Sequence, residues 1–195
     1  MSALSVEHEP GNGYGWDELV RIWEETDAPE GRKVEIIEGI VTVPPAPSEE
    51  HNDTAELLLC QLYAKMPEGC GIYQTLGLLA QPSSGIYIPD LAVVPRSLLR
   101  QGRRVSADEA KLVVEITSRS NANNDRVKKL RGYATAGVPL YLLLDPWHSD
   151  KPTAVLYGQP DNGTYRTLQA VEYGEKLTLP EPFGLDIDTG TFPVR

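Results

Sequence analysis

Cysteine is nearly missing from this chain. Cys60 and Cys70 are the two among 195 residues. They form no CxxC pair and no His/Cys cluster surrounds them, which argues against a zinc module and against a disulfide scaffold. Cys60 falls in an apolar helical run and is expected in the core. No apolar run reaches the ~18 residues that a membrane span needs. The segment Met1 to Gly15 lacks the basic and apolar regions of a secretory leader, so a cytoplasmic location is the expectation. Internal repeats and low-complexity tracts are absent. Basic charge is short: 18 Lys and Arg stand against 28 Asp and Glu, a net charge of −10. Taken whole, that disfavours unspecific binding to nucleic acid.

What is present is an ordinary globular composition, 41% hydrophobic and 24% charged, with Pro and Gly spread along the chain. One domain over 15–195 is expected, with a core at about 48–145, behind a flexible N-terminus over 1–14. The charge is unevenly distributed. Between Arg96 and Arg131, ten basic side chains face four acidic ones, so this segment carries +6 and the remainder −16. Such a stretch is either a solvated face or a footprint for a polyanion.

Trp16, Leu19, Val20 and Trp23 recur at helical spacing and predict a short amphipathic helix over 16–26. Val34 to Val43 reads as a strand or hairpin arm, bent at Glu38-Gly39 and ended by Pro44, Pro45 and Pro47. Ser48 is a natural N-cap for a helix to about Met66, with Ala55, Leu58, Leu59, Leu62, Tyr63 and Met66 as its stripe. Strands are predicted over 71–80, 86–94 and 111–117. A helix follows over about 124–136, with Val127, Leu130 and Ala134 inward and Gly137 at its end. Val138 to Leu144 has the continuous apolar run of a buried strand. The remainder, 153–195, reads as a small β decoration. The fold class is therefore α/β, with an αβββαβ core in which helices flank a central mixed sheet, preceded by an N-terminal helix and hairpin.

Two carboxylates fall inside apolar strands, Asp90 after Pro89 and Glu115 within KLVVEIT. A carboxylate there is costly unless it is paired or binds a metal. Two on separate strands of one sheet would converge if the strands are neighbours. Carboxylates that hold a hard divalent cation, with a lysine nearby, provide what phosphodiester hydrolysis requires. The alternative is a pair of structural ion pairs. Lys129, four residues after Asp125, could equally be half of a surface helix pair worth ~0.3–0.5 kcal/mol.

The series Glu35-Ile36-Ile37-Glu38-Gly39, Pro45-Ala46-Pro47-Ser48 with His51, Pro89-Asp90-Leu91-Ala92-Val93-Val94, Val113-Val114-Glu115-Ile116, Lys129 with Tyr133, Ala136-Gly137-Val138, Tyr141 and Asp145-Pro146 resembles the PD-(D/E)XK nuclease superfamily. Within it, the resemblance is to the Uma-two family of putative restriction endonucleases, over roughly 35–185. It implies a restriction-endonuclease-like fold and a Mg²⁺- or Mn²⁺-dependent endonuclease acting on DNA, with a homodimer as the expected assembly. Asp90 and Glu115 would be metal ligands, with the Ile116 carbonyl assisting, and Glu38 and His51 would border the metal. The usual lysine two residues after the glutamate is Thr117 here; the resemblance moves that role to Lys129, with Lys128 as a competing neighbour. Arg103, Arg104, Arg119 and Lys128 are the candidates for gripping nucleic acid. A catalytically inactive nucleic-acid- or protein-binding module on the same fold is the alternative.

Overall fold

A computed structural model describes residues 4–5, 14–81, 85–119, 121–148 and 151–194. Apart from Leu4–Ser5 (β1) and Tyr14, the N-terminus expected to be flexible lies outside the described residues. Gly15 precedes helix α1, Trp16–Glu25. Strands β2 (Glu35–Ile37) and β3 (Ile40–Val43) form a tight hairpin. Its two central residues, Glu38 and Gly39, have φ of 51° and 78°, the left-handed pair that a two-residue hairpin favours.

Helix α2 spans Glu49–Tyr63 and is capped as the sequence predicts: the Ser48 side chain accepts from the His51 backbone N–H, and Glu49 and Glu50 occupy the first turn, where the helix dipole favours acids. Strands β4 (Cys70–Tyr73), β5 (Leu78–Ala80), β6 (Gly85–Tyr87) and β7 (Leu91–Pro95) follow. After them come the short β8 (Val105–Ser106) and β9 (Leu112–Ile116). A π-helical stretch, Asn124–Lys129, runs directly into α3, Leu130–Ala136. Strand β10 (Leu140–Asp145) leads to β11 (Thr153–Asp161), β12 (Thr164–Glu172), β13 (Lys176–Leu179) and β14 (Leu185–Asp188).

These strands form two six-stranded sheets and a two-stranded ribbon. The larger body is ordered β12-β11-β10-β9-β7-β4, and the second sheet β1-β3-β2-β6-β5-β8. Both are mixed: β9 and β10 run parallel, as do β5 and β8, among otherwise antiparallel pairs. Read along the first sheet, α2, β4, β7, β9, α3 and β10 reproduce the expected αβββαβ order. The difference lies between them. The predicted strands over 71–80 and 86–94 each break in two, and the inner halves, β5 and β6, leave to pair with each other and with the N-terminal hairpin.

Period-two alternation sorts the core into layers. Ile36, Ile86 and Leu79 face α1, while Ile37, Tyr87, Leu78 and Ala80 face the opposite way. There they meet Ala92, Val94, Val113, Tyr141 and Leu143 of the first sheet, with Tyr133 of α3 between. The far face of the first sheet, with Leu91, Val93, Leu112, Val114 and Leu142, packs against Ala55, Leu58 and Leu62 of α2. Leu177, Leu179, Phe183, Ile187 and Phe192 also join that layer. The C-terminal part is thus no appendage: β11 and β12 extend the main sheet, and the β13–β14 ribbon closes its core.

Three further expectations are corrected. Asp90 is not mid-strand but lies in the link between β6 and β7. Cys60 is exposed, its thiol donating to Glu56 Oε1 at 3.3 Å, because the buried stripe of α2 runs through Leu58 and Leu62 instead. Val127 is 55% exposed; in its place Asp125 and Lys129 turn inward.

Candidate active site

The site lies at one end of the layer between the two sheets. Glu35 on β2 shares its face with Ile37, and Glu115 on β9 shares its face with Val113, so both carboxylates point into that layer. Asp90 is held beside them by the backbone: its N–H donates to the Val114 carbonyl at 3.1 Å, while its side chain accepts from the Ile116 N–H at 2.8 Å. The two expected acids therefore converge. Both line a cavity of about 200 Å³ with Arg32, Lys33, Glu35, His51, Asp125 and Lys129 among its other walls.

Asp90 is surrounded by donors. Lys33 Nζ lies 2.6 Å from Oδ1, and His51 Nε2 lies 3.1 Å from Oδ2, the same oxygen that accepts from Ile116. Burial by itself would raise this carboxyl, but the Lys33 ammonium and the His51 hydrogen bond outweigh it and hold Asp90 well below the usual carboxylate range. Asp90 is therefore a fixed anion at neutral pH.

Glu115 behaves oppositely. Burial pushes its carboxyl well above the ordinary range; the Lys129 ammonium pulls it down, while Asp125, Asp90 and Glu35 push it up. Its Oε1 accepts from the Tyr133 hydroxyl and from Lys129 Nζ, each at 3.1 Å. Tyr133 is buried, its ring packed edge-on against Tyr87 at 5.0 Å and tilted against Tyr141 at 5.5 Å.

Lys129 is buried amid carboxylates, with Nζ 2.9 Å from Glu35, 3.1 Å from Glu115 and 3.5 Å from Asp125. Burial would lower its pKa, and those three acids raise it well above the ordinary lysine value instead. The 125–129 pair is thus an interior contact and not a surface one. The π-helical turn that carries it is fastened by Arg126, whose guanidinium grips Asp145 with Nε at 2.7 Å and Nη2 at 2.8 Å. Thr117 Oγ1 donates to the same Asp145 at 2.7 Å. Asp125 is pushed up to about 7, by burial first, with Lys129 opposing and Asp90 and Glu35 adding to it. Its Oδ1 is a buried oxygen with no hydrogen-bond partner among the described residues, as is His51 Nδ1 among the nitrogens.

Other predicted residues lie elsewhere. Glu38 is exposed in its hairpin turn; the acid of that segment which enters the site is Glu35, whose Oε1 also accepts from the Ile88 N–H at 2.7 Å. Arg103 pairs with Glu109 at 2.6 Å. Arg104 pairs with Glu24 and lies 5.0 Å over the Trp23 ring. Arg119 sits 5.6 Å over Trp147, and Lys128 is half-buried beside its inward neighbour. With Arg126 and Lys129 also paired, much of the basic segment is spent within the molecule. Lys33, Glu35 and Asp125 went unassigned by sequence reasoning. The sign that could have found two of them was the alternation Lys33-Val34-Glu35 leading into Ile36-Ile37, a charged pair on one face of an apolar strand.

Four carboxylates face two ammonium groups here, a surplus that the raised Glu115 and Asp125 carboxyls register. An oxygen-rich surplus of this kind suits a hard divalent cation. Among the described residues no three His, Cys, Asp or Glu side chains are grouped to hold a metal. A Mg²⁺ site does not need that, because it commonly uses one or two carboxylates with waters and substrate phosphate. Asp90 and Glu115, with the Ile116 carbonyl, fit that donor set.

The family model "Uma2: Putative restriction endonuclease" matches residues 16–190. No curated protein matches the chain. By structure the chain is similar to a crystal structure of a "putative nuclease belonging to DUF820" from Anabaena variabilis, with a TM-score of 0.70 and 18% identity over 91% of this chain and 96% of that one. That likeness is one of fold. No helix among the described residues is long and apolar enough to cross a membrane.

Proposed function

From the fact that the chain belongs to the Uma2 family, described as putative restriction endonucleases, we propose that it is a divalent-metal-dependent endonuclease that hydrolyses phosphodiester bonds of DNA. The observation that carries this reading is the convergence of Asp90 and Glu115 on one cavity that is rich in carboxylate and open to solvent. A bound Mg²⁺ or Mn²⁺ would polarise the phosphate and make a water acidic enough to attack it.

The chain's own groups prepare for this. Lys33, His51 and the Ile116 N–H keep Asp90 ionised and fix both of its oxygens. Tyr133 and Lys129 hold Glu115 in one orientation from the interior side. Such fixed ligands have little reorganisation left to undergo when substrate arrives. Cutting both strands of a duplex would call for two such sites, which a pair of chains would supply.

The test is nicking of supercoiled plasmid by the purified chain with Mg²⁺ or Mn²⁺. Wild type should nick and Asp90→Ala should not; equal cleavage by both removes Asp90 from the mechanism. Calorimetric titration with Mn²⁺ should show binding that Glu115→Gln weakens. A wild type that binds neither metal nor cuts DNA leaves the inactive binding module in its place.

A further inference from the structure

We propose that Arg32 and Lys33 form the phosphate-binding side of this site. The proposal rests on the nuclease reading and specifies which cations meet the DNA backbone. Its basis is donor counting. A lysine ammonium has three N–H donors. Lys129 Nζ has three carboxylates within 3.5 Å, one from Glu35, one from Glu115 and one from Asp125, and its side chain is 3% exposed. Glu35 and Glu115 engage two of those donors and Asp125 faces the third at 3.5 Å, so Lys129 is the more enclosed of the two ammonium groups on the cavity wall.

Lys33 differs on both counts. Asp90 takes one of its donors, at 2.6 Å, and the side chain is 23% exposed on the cavity wall. Two N–H groups remain for an anion. Arg32 stands next to it on the same wall. Its Nη1 donates to the Pro44 carbonyl at 3.2 Å, which tethers the guanidinium at one nitrogen, and it has no carboxylate within ion-pairing distance among the described residues. An arginine fixed through one nitrogen keeps further donors in the fork that matches phosphate. The turn at Gly31, with φ of 80°, brings this dipeptide to the cavity, and the extended chain beyond it puts Lys33 on the same side as Glu35. A phosphodiester entering the cavity would therefore meet Lys33 beside Asp90 and Arg32 beyond it, with an adjacent phosphate of the strand as the natural partner of Arg32.

The experiment measures binding of a short labelled DNA duplex, with Ca²⁺ as the cation, as a function of salt concentration. Each lost phosphate contact should reduce the slope of log affinity against log salt by about 0.9. Arg32→Ala and Lys33→Gln should each show that reduction. Lys33→Arg should restore it. A side chain that merely neutralised Asp90 would not change the slope. Arg32 lies in a loop and outside the carboxylate cluster, so Arg32→Ala remains decisive even if a lysine variant fails to fold. Unchanged slopes for Arg32→Ala and Lys33→Gln overturn the assignment while leaving the nuclease reading intact. A wild type that neither binds nor cuts DNA overturns both.

Discussion

At the scale of single residues, the site is a problem of surplus negative charge. Glu35, Asp90, Glu115 and Asp125 share Lys33 and Lys129, and the protein answers by holding Asp90 below the usual carboxylate range while Glu115 and Asp125 are pushed above it. Asp125, at about 7 against ~3.9 for an unstructured aspartate, gives this a pH signature. Between about pH 4 and about pH 7 the unfolded chain has released a proton that the folded chain retains, so the unfolded state binds fewer protons and stability falls as pH rises through that window. Asp125→Asn removes this contribution. Urea midpoints measured at both ends of the window should therefore differ less in the variant than in wild type; an equal difference would mean that Asp125 is ionised throughout. By the same crowding, loss of the Lys129 ammonium should destabilise the fold, since removing one partner of a buried charge cluster typically costs ~3–5 kcal/mol.

At the scale of elements, the decisive piece is the π-helical turn before α3. Its wider winding points both Asp125 and Lys129 inward and leaves Val127 outside; π-turns of this kind are frequent at functional sites. The helix that follows must lie close to β6, and Gly132 allows it. A Cβ at that position would come within 2.6 Å of Cε2 in the Tyr87 ring, and Tyr87 is itself buried and packed edge-on against Tyr133. Gly132→Ala should therefore lower stability by ~1–3 kcal/mol through overpacking, against the ~1 kcal/mol that alanine usually gains over glycine in a helix. Thermal or urea unfolding measures it, and a stabilised variant would mean that α3 can shift. Because Lys129 immediately precedes that helix and Tyr133 lies within it, the variant should also loosen the hold on Glu115.

At the scale of the whole molecule, the two sheets need each other and the C-terminus. The crevice that holds the site exists only where their facing layers end, and the far face of the main sheet is covered by α2 together with Leu177, Leu179, Phe183, Ile187 and Phe192. A chain stopped before Thr153 would leave β10 as a bare edge and that apolar layer open to water. Exposed edges and patches of this kind promote aggregation. The expected result is a chain that is insoluble or lacks a cooperative unfolding transition; a soluble chain that melts cooperatively would show that the ribbon and hairpin are dispensable.

The sequence by itself determined the local elements and their order. Periodicity located α1 and α2, Ser48 and Gly137 marked helix ends, and Glu38-Gly39 marked the hairpin, because caps and turns are fixed by nearby residues. It also singled out Asp90 and Glu115, since charge inside apolar runs is visible without coordinates. Only the tertiary structure decided that the strands over 71–80 and 86–94 divide between two sheets, that Glu35 and not Glu38 enters the cavity, and that Lys129 is enclosed while Lys33 is open. Each of these depends on which segments pair across long stretches of chain and on how many carboxylates gather around one amine. Spacing along a sequence carries no measure of either.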